Sequence, residues 1–144
     1  MVKSKATSQN PKDITGSKKV SLSAVPAVAI AHEACALMDG NDKYGPYNWR
    51  DKAVSARIYV DACKRHLDAW LEGEEASSDA GVHHLGHARA CLAILLDAQE
   101  YGNLIDDRPI IEGGGDTFQR VMNRLNGWAA DRSAGKKKII RGKG

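Results

Sequence analysis

The stretch Arg65–Ala88, RHLDAWLEGEEASSDAGVHHLGHA, gathers side chains suited to acid–base, metal and phosphate chemistry. His84 and His87 stand three residues apart, so on a helix they share a face and can ligate one ion or flank one phosphate. His66, Trp70 and Glu74 recur at four-residue spacing, which places His66 and Glu74 on one side of a preceding helix. Asp79 falls in the polar run between the two groups. One histidine alone in such a place is ordinarily a satisfied core or surface residue; the set together points to a site. Imidazoles suit Mn²⁺, Zn²⁺ or Ni²⁺, whereas Mg²⁺ and Ca²⁺ prefer oxygen shells. The spacing matches neither HExxH nor a common zinc signature.

A second group is Lys43, Tyr44, Asn48, Trp49 and Arg50. An aromatic ring beside a basic side chain can stack on a base while the cation meets a phosphate. The same residues also fit a turn pinned by Gly45-Pro46 with its aromatics packed on the fold. Glu33, on the first helix, is either solvated or brings a carboxylate from a third helix to the hairpin. Asp61, Arg65, Asp68 and Glu72 read as paired charges on an exposed helix face. Asp106-Asp107-Arg108 is a charged turn or a substrate clamp.

The elements that must position these groups are helices. Val20–Val25 alternates for one short extended stretch. The periodicity then predicts a helix from Pro26 to Met38 that buries Val28, Ala31, Cys35 and Met38 and is stopped by Asp39-Gly40. Asp42–Arg50 reads as a loop. A second helix spans about Ser55–Glu72, with Tyr59, Cys63, Leu67 and Trp70 inward. Residues 76–81 read as a loop with Ser78 or Asp79 as N-cap. A third helix, about Val82–Glu100, would bury Leu85, Ala88, Cys91, Leu92, Leu95 and Leu96. Gly113-Gly114-Gly115 is a break, and a last helix, about Asp116–Asp131, carries Phe118, Val121, Met122, Leu125 and Trp128 on one face. There is no internal repeat. The fold expected is all-α, a helical hairpin bundle of about four helices, thin for its length. The surplus apolar stripes suggest pairing between subunits.

At 144 residues the chain is one domain's worth, with 42% hydrophobic and 27% charged residues, ordinary for a globular protein. The expected organisation is a flexible basic arm (1–19), a folded domain (20–132) and a flexible basic tail (133–144). Ten of the 21 bases and one of the 18 acids lie in residues 1–19 and 136–144, leaving 11 bases against 17 acids between them. An acidic body of net charge −6 under an overall +3 disfavours nucleic acid and suits divalent cations. No apolar run reaches the roughly 18–20 residues of a membrane span, and no apolar region follows the basic N-terminus as a secretory signal requires. Cys35, Cys63 and Cys91 form no CxxC pair and read as small core residues of a reducing cytoplasm.

DGNDKYGPYNWR, YVDACKRHLDAWLEGE, DAGVHHLGHARACLAILLDA and IDDRP, in that order, resemble the bacteriophage dATP/dGTP diphosphohydrolase family. This family, of the MazZ type, is a branch of the MazG-like all-α nucleoside triphosphate pyrophosphohydrolases. The resemblance covers about Lys18–Pro109. It implies α–β hydrolysis of a purine deoxynucleoside triphosphate to monophosphate and pyrophosphate; the substrate expected is dGTP or GTP ahead of dATP. It also implies Mn²⁺ or Mg²⁺, a dimer or tetramer, and a place in supplying dGMP for 2-aminoadenine nucleotides in the host cell cytoplasm.

Read from this chain's own residues, Glu33, Glu74 and Asp79 are the expected metal ligands, with His66, His84 and His87 as mixed ligands or phosphate contacts. Glu74, His84 and His87 become the catalytic group. Lys43, Arg50 and Arg65 bind phosphates, Tyr44 or Trp49 stacks on the base, and Asn48 reads its edge. The usual ExxE and ExxD motifs of MazG-like enzymes are absent from the hairpin. Either the metal shell is mixed, or the ions lie nearer the carboxylates while the histidines touch phosphate. The contrasting readings are a non-catalytic nucleotide- or nucleic-acid-binding module using the basic ends, and a helical interaction protein with a structural metal.

Overall fold

Helix α5 (His84–Glu100) is the axis of the fold: buried and half-buried positions occur all round it, and only a few side chains reach solvent fully. Apart from His84, its buried residues are small: Gly86, Ala88, Ala90 and Ala98. Small residues let neighbouring backbones come close. At Gly86 a Cβ would stand 2.5 Å from the carbonyl oxygen of His32, so α5 and helix α2 (Ala27–Tyr44) meet backbone to backbone. Helix α4 (Ala56–Leu71) packs along the other side of α5.

The computed structural model describes residues 8–135. The described residues fall into two compact units, divided between Asp107 and Arg108. The first also holds helix α1 (Pro11–Gly16), a single 3₁₀ turn (Leu22–Ala24), helix α3 (Asn48–Asp51) and strands β1 (Val54–Ser55) and β2 (Leu104–Ile105). The second holds helix α6 (Gly114–Ser133), on which Val121, Met122, Leu125 and Trp128 are half-buried and Phe118 is exposed. The architecture is all-α, as the sequence predicts, with one short parallel strand pair.

Trp49, Val54 and Ala98 form the innermost cluster of the first unit, with Leu37, Tyr59, Ile94, Leu95 and Leu104 against it. The strand pair, Val54 opposite Leu104, ties the start of α4 to the end of α5. Asp107 completes the tie by accepting a hydrogen bond from the Arg57 backbone N–H at 2.8 Å, which caps α4 where the Ser55 side chain does not. The charged turn at 106–108 therefore serves the fold at Asp107.

Several expectations are corrected. Helix α2 does not stop at Asp39-Gly40; it runs to Tyr44 and ends at Gly45, whose φ of 90° suits glycine. Its inward face is Ala29, Glu33, Ala36 and Leu37, while Val28 (71% exposed) and Met38 (65%) face out, with Ala31 and Cys35. On α4 the inward stripe is Tyr59, Ala62, Cys63, His66 and Ala69; Leu67 and Trp70 lie outside it. Leu92 and Leu96 of α5 are exposed. Helix α5 begins at His84, not Val82, and its N-cap is His83, whose Nδ1 accepts from the Leu85 N–H at 3.1 Å. Residues 20–25 contain the 3₁₀ turn rather than an extended run, and α1, started by Asn10 and Pro11, lies within the expected basic arm. The first seven residues and the basic tail from residue 136 lie outside the described residues.

Candidate functional site

Helices α2, α3, α4 and α5 and the segment between α4 and α5 line a cavity of about 360 Å³, half open to solvent, in the first unit. This is within the roughly 300–1,000 Å³ of small-molecule sites. Leu37, Ile58, Tyr59, Ala90 and Ile94 make an apolar wall; Asp39, Lys43, Asn48, Asp79, His66 and His87 supply polar groups. Burial pushes the Tyr59 phenol above its ordinary pKa.

The histidines converge as the spacing predicts. His66 comes from the inward face of α4, and His84 and His87 from the first turn of α5. His66 and His87 stack, 4.5 Å between centroids and 12° from parallel. His66 Nδ1 lies 2.9 Å from His84 Nδ1, and His84 Nε2 lies 2.9 Å from Glu74 Oε1. His84 is only 5% exposed. His87 Nε2 meets Ser77 Oγ at 3.2 Å. Burial first, and the neighbouring imidazoles after it, lower the pKa of His66; burial likewise lowers that of His87, against the opposing pull of Asp39 and Asp79. Both rings are therefore neutral bases near pH 7.

Lys43 stands on the last turn of α2, 2.7 Å from Asp39 Oδ2 and 3.3 Å from Asp79 Oδ2. Hydrogen bonds to Asp39 and Asp79 raise its pKa, so it remains a cation. Asp79 is lowered to about 2, by the Ser77 hydroxyl and then by Lys43. The cavity thus carries one lysine, the ionised Asp79, the carboxyl group of Asp39 and two neutral imidazoles.

The other expected site residues are placed elsewhere or otherwise employed. Glu33 pairs with Arg89 Nη2 at 2.9 Å across the α2–α5 crossing, leaving the buried Arg89 Nε without a hydrogen-bond partner. Arg50 is outside the cavity wall: Asp97 takes Nε at 2.9 Å and Nη2 at 2.8 Å, and the guanidinium lies over Tyr47 and Tyr101. Trp49 contributes to the wall, but its indole N–H is spent on Asp97 at 2.7 Å. Arg50, then Trp49, hold Asp97 at about 2. Arg65 is exposed on α4. Tyr44 and Asn48 remain at the cavity.

The sequence reading did not single out Asp39, Tyr59 or Ser77 for the site, or Asp97 for the core. The four-residue spacing of Asp39 and Lys43 was a usable signal once the helix is extended. Of the cysteines, Cys63 is buried, Cys35 is exposed, and Cys91 lines the cavity with its thiol pushed by burial to about 11.

A resident divalent ion does not fit the donor set as it stands. Glu74, His84 and His66 are joined to one another, Asp79 is held by Lys43, and Glu33 is held by Arg89. Among the described residues, no group of three or more His, Cys, Asp or Glu side chains is arranged to hold a metal ion. No described helix is long and apolar enough to cross a membrane.

A family model described as dATP/dGTP diphosphohydrolase, N-terminal, matches residues 9–108, the part of the chain that builds the cavity. No curated protein and no solved structure matches the chain. The chain belongs to the dATP/dGTP diphosphohydrolase N-terminal family, whose name is that of a hydrolase acting on two purine deoxynucleotides.

Proposed function

We propose that this member of the family hydrolyses purine deoxynucleoside triphosphates, dGTP ahead of dATP, between the α- and β-phosphates to the monophosphate and pyrophosphate. The observation that carries the reading is the cavity itself. An apolar wall large enough for a base lies beside one held cation and two neutral imidazoles. The base lies against Tyr59 and Ile94, with Tyr44 at the rim and Asn48 offering a donor and an acceptor to its edge. Lys43 exchanges its carboxylate partners for the triphosphate. The histidine cluster receives the proton of the attacking water, and positioning with charge stabilisation does the rest.

Mn²⁺ or Mg²⁺ belongs to this reaction as part of the substrate, the metal complex of the triphosphate. The preference for dGTP, and a role in supplying dGMP for 2-aminoadenine nucleotides in the phage-infected cytoplasm, follow the resemblance set out from the sequence. A homo-oligomer is supported by the exposed apolar residues Val28, Met38, Ile58 and Leu92.

Product identification tests the reading. Purified protein incubated with dGTP or dATP and Mn²⁺ or Mg²⁺ yields monophosphate and pyrophosphate, resolved by chromatography. A diphosphate with free phosphate, or no turnover with either ion, rejects it.

A further inference from the structure

Two hydrogen-bonded chains end on the stacked histidines. One runs from Glu74 through His84 to His66. The other runs from Asp79 through Ser77 to His87. An ionised carboxylate only accepts hydrogen bonds, so each chain has a direction. Where each ring carries a single proton, His84 Nε2–H donates to Glu74, His84 Nδ1 accepts, and His66 Nδ1 must be the donor facing it. The lone pair of His66 is then on Nε2. In the second chain the Ser77 hydroxyl donates to Asp79 and His87 Nε2–H donates to Ser77, which leaves the His87 lone pair on Nδ1. The two stacked rings are held as opposite tautomers.

We infer that Glu74 and His84 are positioning residues that hold His66 in its Nδ1–H tautomer, so that His66 Nε2 is the base for the attacking water. The inference rests on the proposed hydrolysis and assigns its base. His66 lines the cavity, whereas both ring nitrogens of the buried His84 are spent inside the protein. His84 therefore serves through His66 rather than as an ion ligand, and Glu74 anchors the chain from a side chain that is 55% exposed.

In the step itself, the water oxygen bonds to the α-phosphorus while one water proton moves to His66 Nε2. The bond from the α-phosphorus to the bridging oxygen breaks, and its electron pair leaves with pyrophosphate. The proton on His66 returns to solvent after the product departs. A His66 in the other tautomer would present an N–H to the water and accept nothing. Which nitrogen carries the proton is set by what the other nitrogen bonds, and here that partner is His84.

The test is histidine NMR on the full-length, isotope-labelled protein without substrate, at about pH 8.5, well above the ordinary imidazole range. The wild-type chain shows His66 as the Nδ1–H tautomer. Glu74→Lys, at a half-exposed position, replaces the acceptor with a donor and reverses the chain. His66 then becomes the Nε2–H form, kcat for dGTP or dATP falls by about tenfold or more, and KM stays within about twofold. Nε2–H at His66 in the wild type, or the same tautomer in both proteins, overturns the inference. If Glu74→Lys does not fold, the wild-type spectrum decides alone. Because the spectrum needs no nucleotide, an Nδ1–H His66 in a protein that turns over no nucleotide overturns the proposed activity, and with it the base role, while the hydrogen-bonded chain stands.

Discussion

His66 of α4 and His87 of α5 lie ring on ring, 4.5 Å apart and nearly parallel, at the wall of the cavity. Two charged imidazoles at that distance repel each other and lose hydration by burial, so the pair is built to be neutral. This contact joins the helix hairpin to its chemistry, and it carries the first prediction.

Both histidines have folded-state pKa values below the ordinary value of about 6.5, chiefly through burial. The unfolded chain therefore binds more protons than the folded one as pH falls below that value. Their contribution to stability is full above the unfolded pKa and is lost as pH falls through the folded values. Urea denaturation at about pH 7.5 and about pH 5.5 is expected to show a lower midpoint at the acid pH. The double variant His66→Gln, His87→Gln should flatten the dependence. An unchanged slope in the double variant would remove these two groups from the account.

Lys43 is exposed and reaches the cavity from the end of α2, so its loss should spare the fold. Lys43→Ala is expected to raise KM for dGTP or dATP by about tenfold or more, with helix content unchanged by circular dichroism. An unchanged KM would take the phosphates away from this lysine.

Gly86→Ala tests the closeness of α2 and α5. The new Cβ meets a backbone carbonyl rather than a flexible side chain, so the helices must separate. A loss of about 1–3 kcal/mol in unfolding free energy is expected, as for overpacked cores. A loss below the precision of the denaturation curve would show that the crossing yields freely.

Thiol labelling should separate the three cysteines. Cys35 is exposed, Cys63 is buried, and the Cys91 thiol is pushed up to about 11. One fast and two slow reactions are expected under native conditions near pH 8, since the thiolate is the reactive form. A fast-reacting Cys91, identified by mass after digestion, would mean the cavity is open to reagent and its thiol unshifted.

How much of this was legible in the sequence depended on the length and size of the signal. Helices α4, α5 and α6 are long and periodic, and their positions follow from hydrophobic spacing. The face of α2 did not, because Val28 and Met38 are the larger apolar residues while the close crossing selects Ala29 and Ala36. A crossing that tight is a fact about two helices and leaves no mark on one. The paired strands are two residues each, too short to alternate visibly. In the site, the spacing of His84 and His87 and of His66 and Glu74 marked the cluster. The partner that makes His87 directional, Ser77, lies in a polar run where nothing distinguishes it from Ser78. Trp49 and Arg50 looked like a nucleotide clamp because their partner Asp97 is nearly fifty residues away in sequence.

The central claim, attack of water at the α-phosphorus within this cavity, is tested most directly by turnover of dGTP in water enriched in heavy oxygen. Mass spectrometry then locates the label. The account predicts heavy oxygen in the nucleoside monophosphate and none in pyrophosphate. Label in pyrophosphate would place the attack at the β-phosphorus and contradict it.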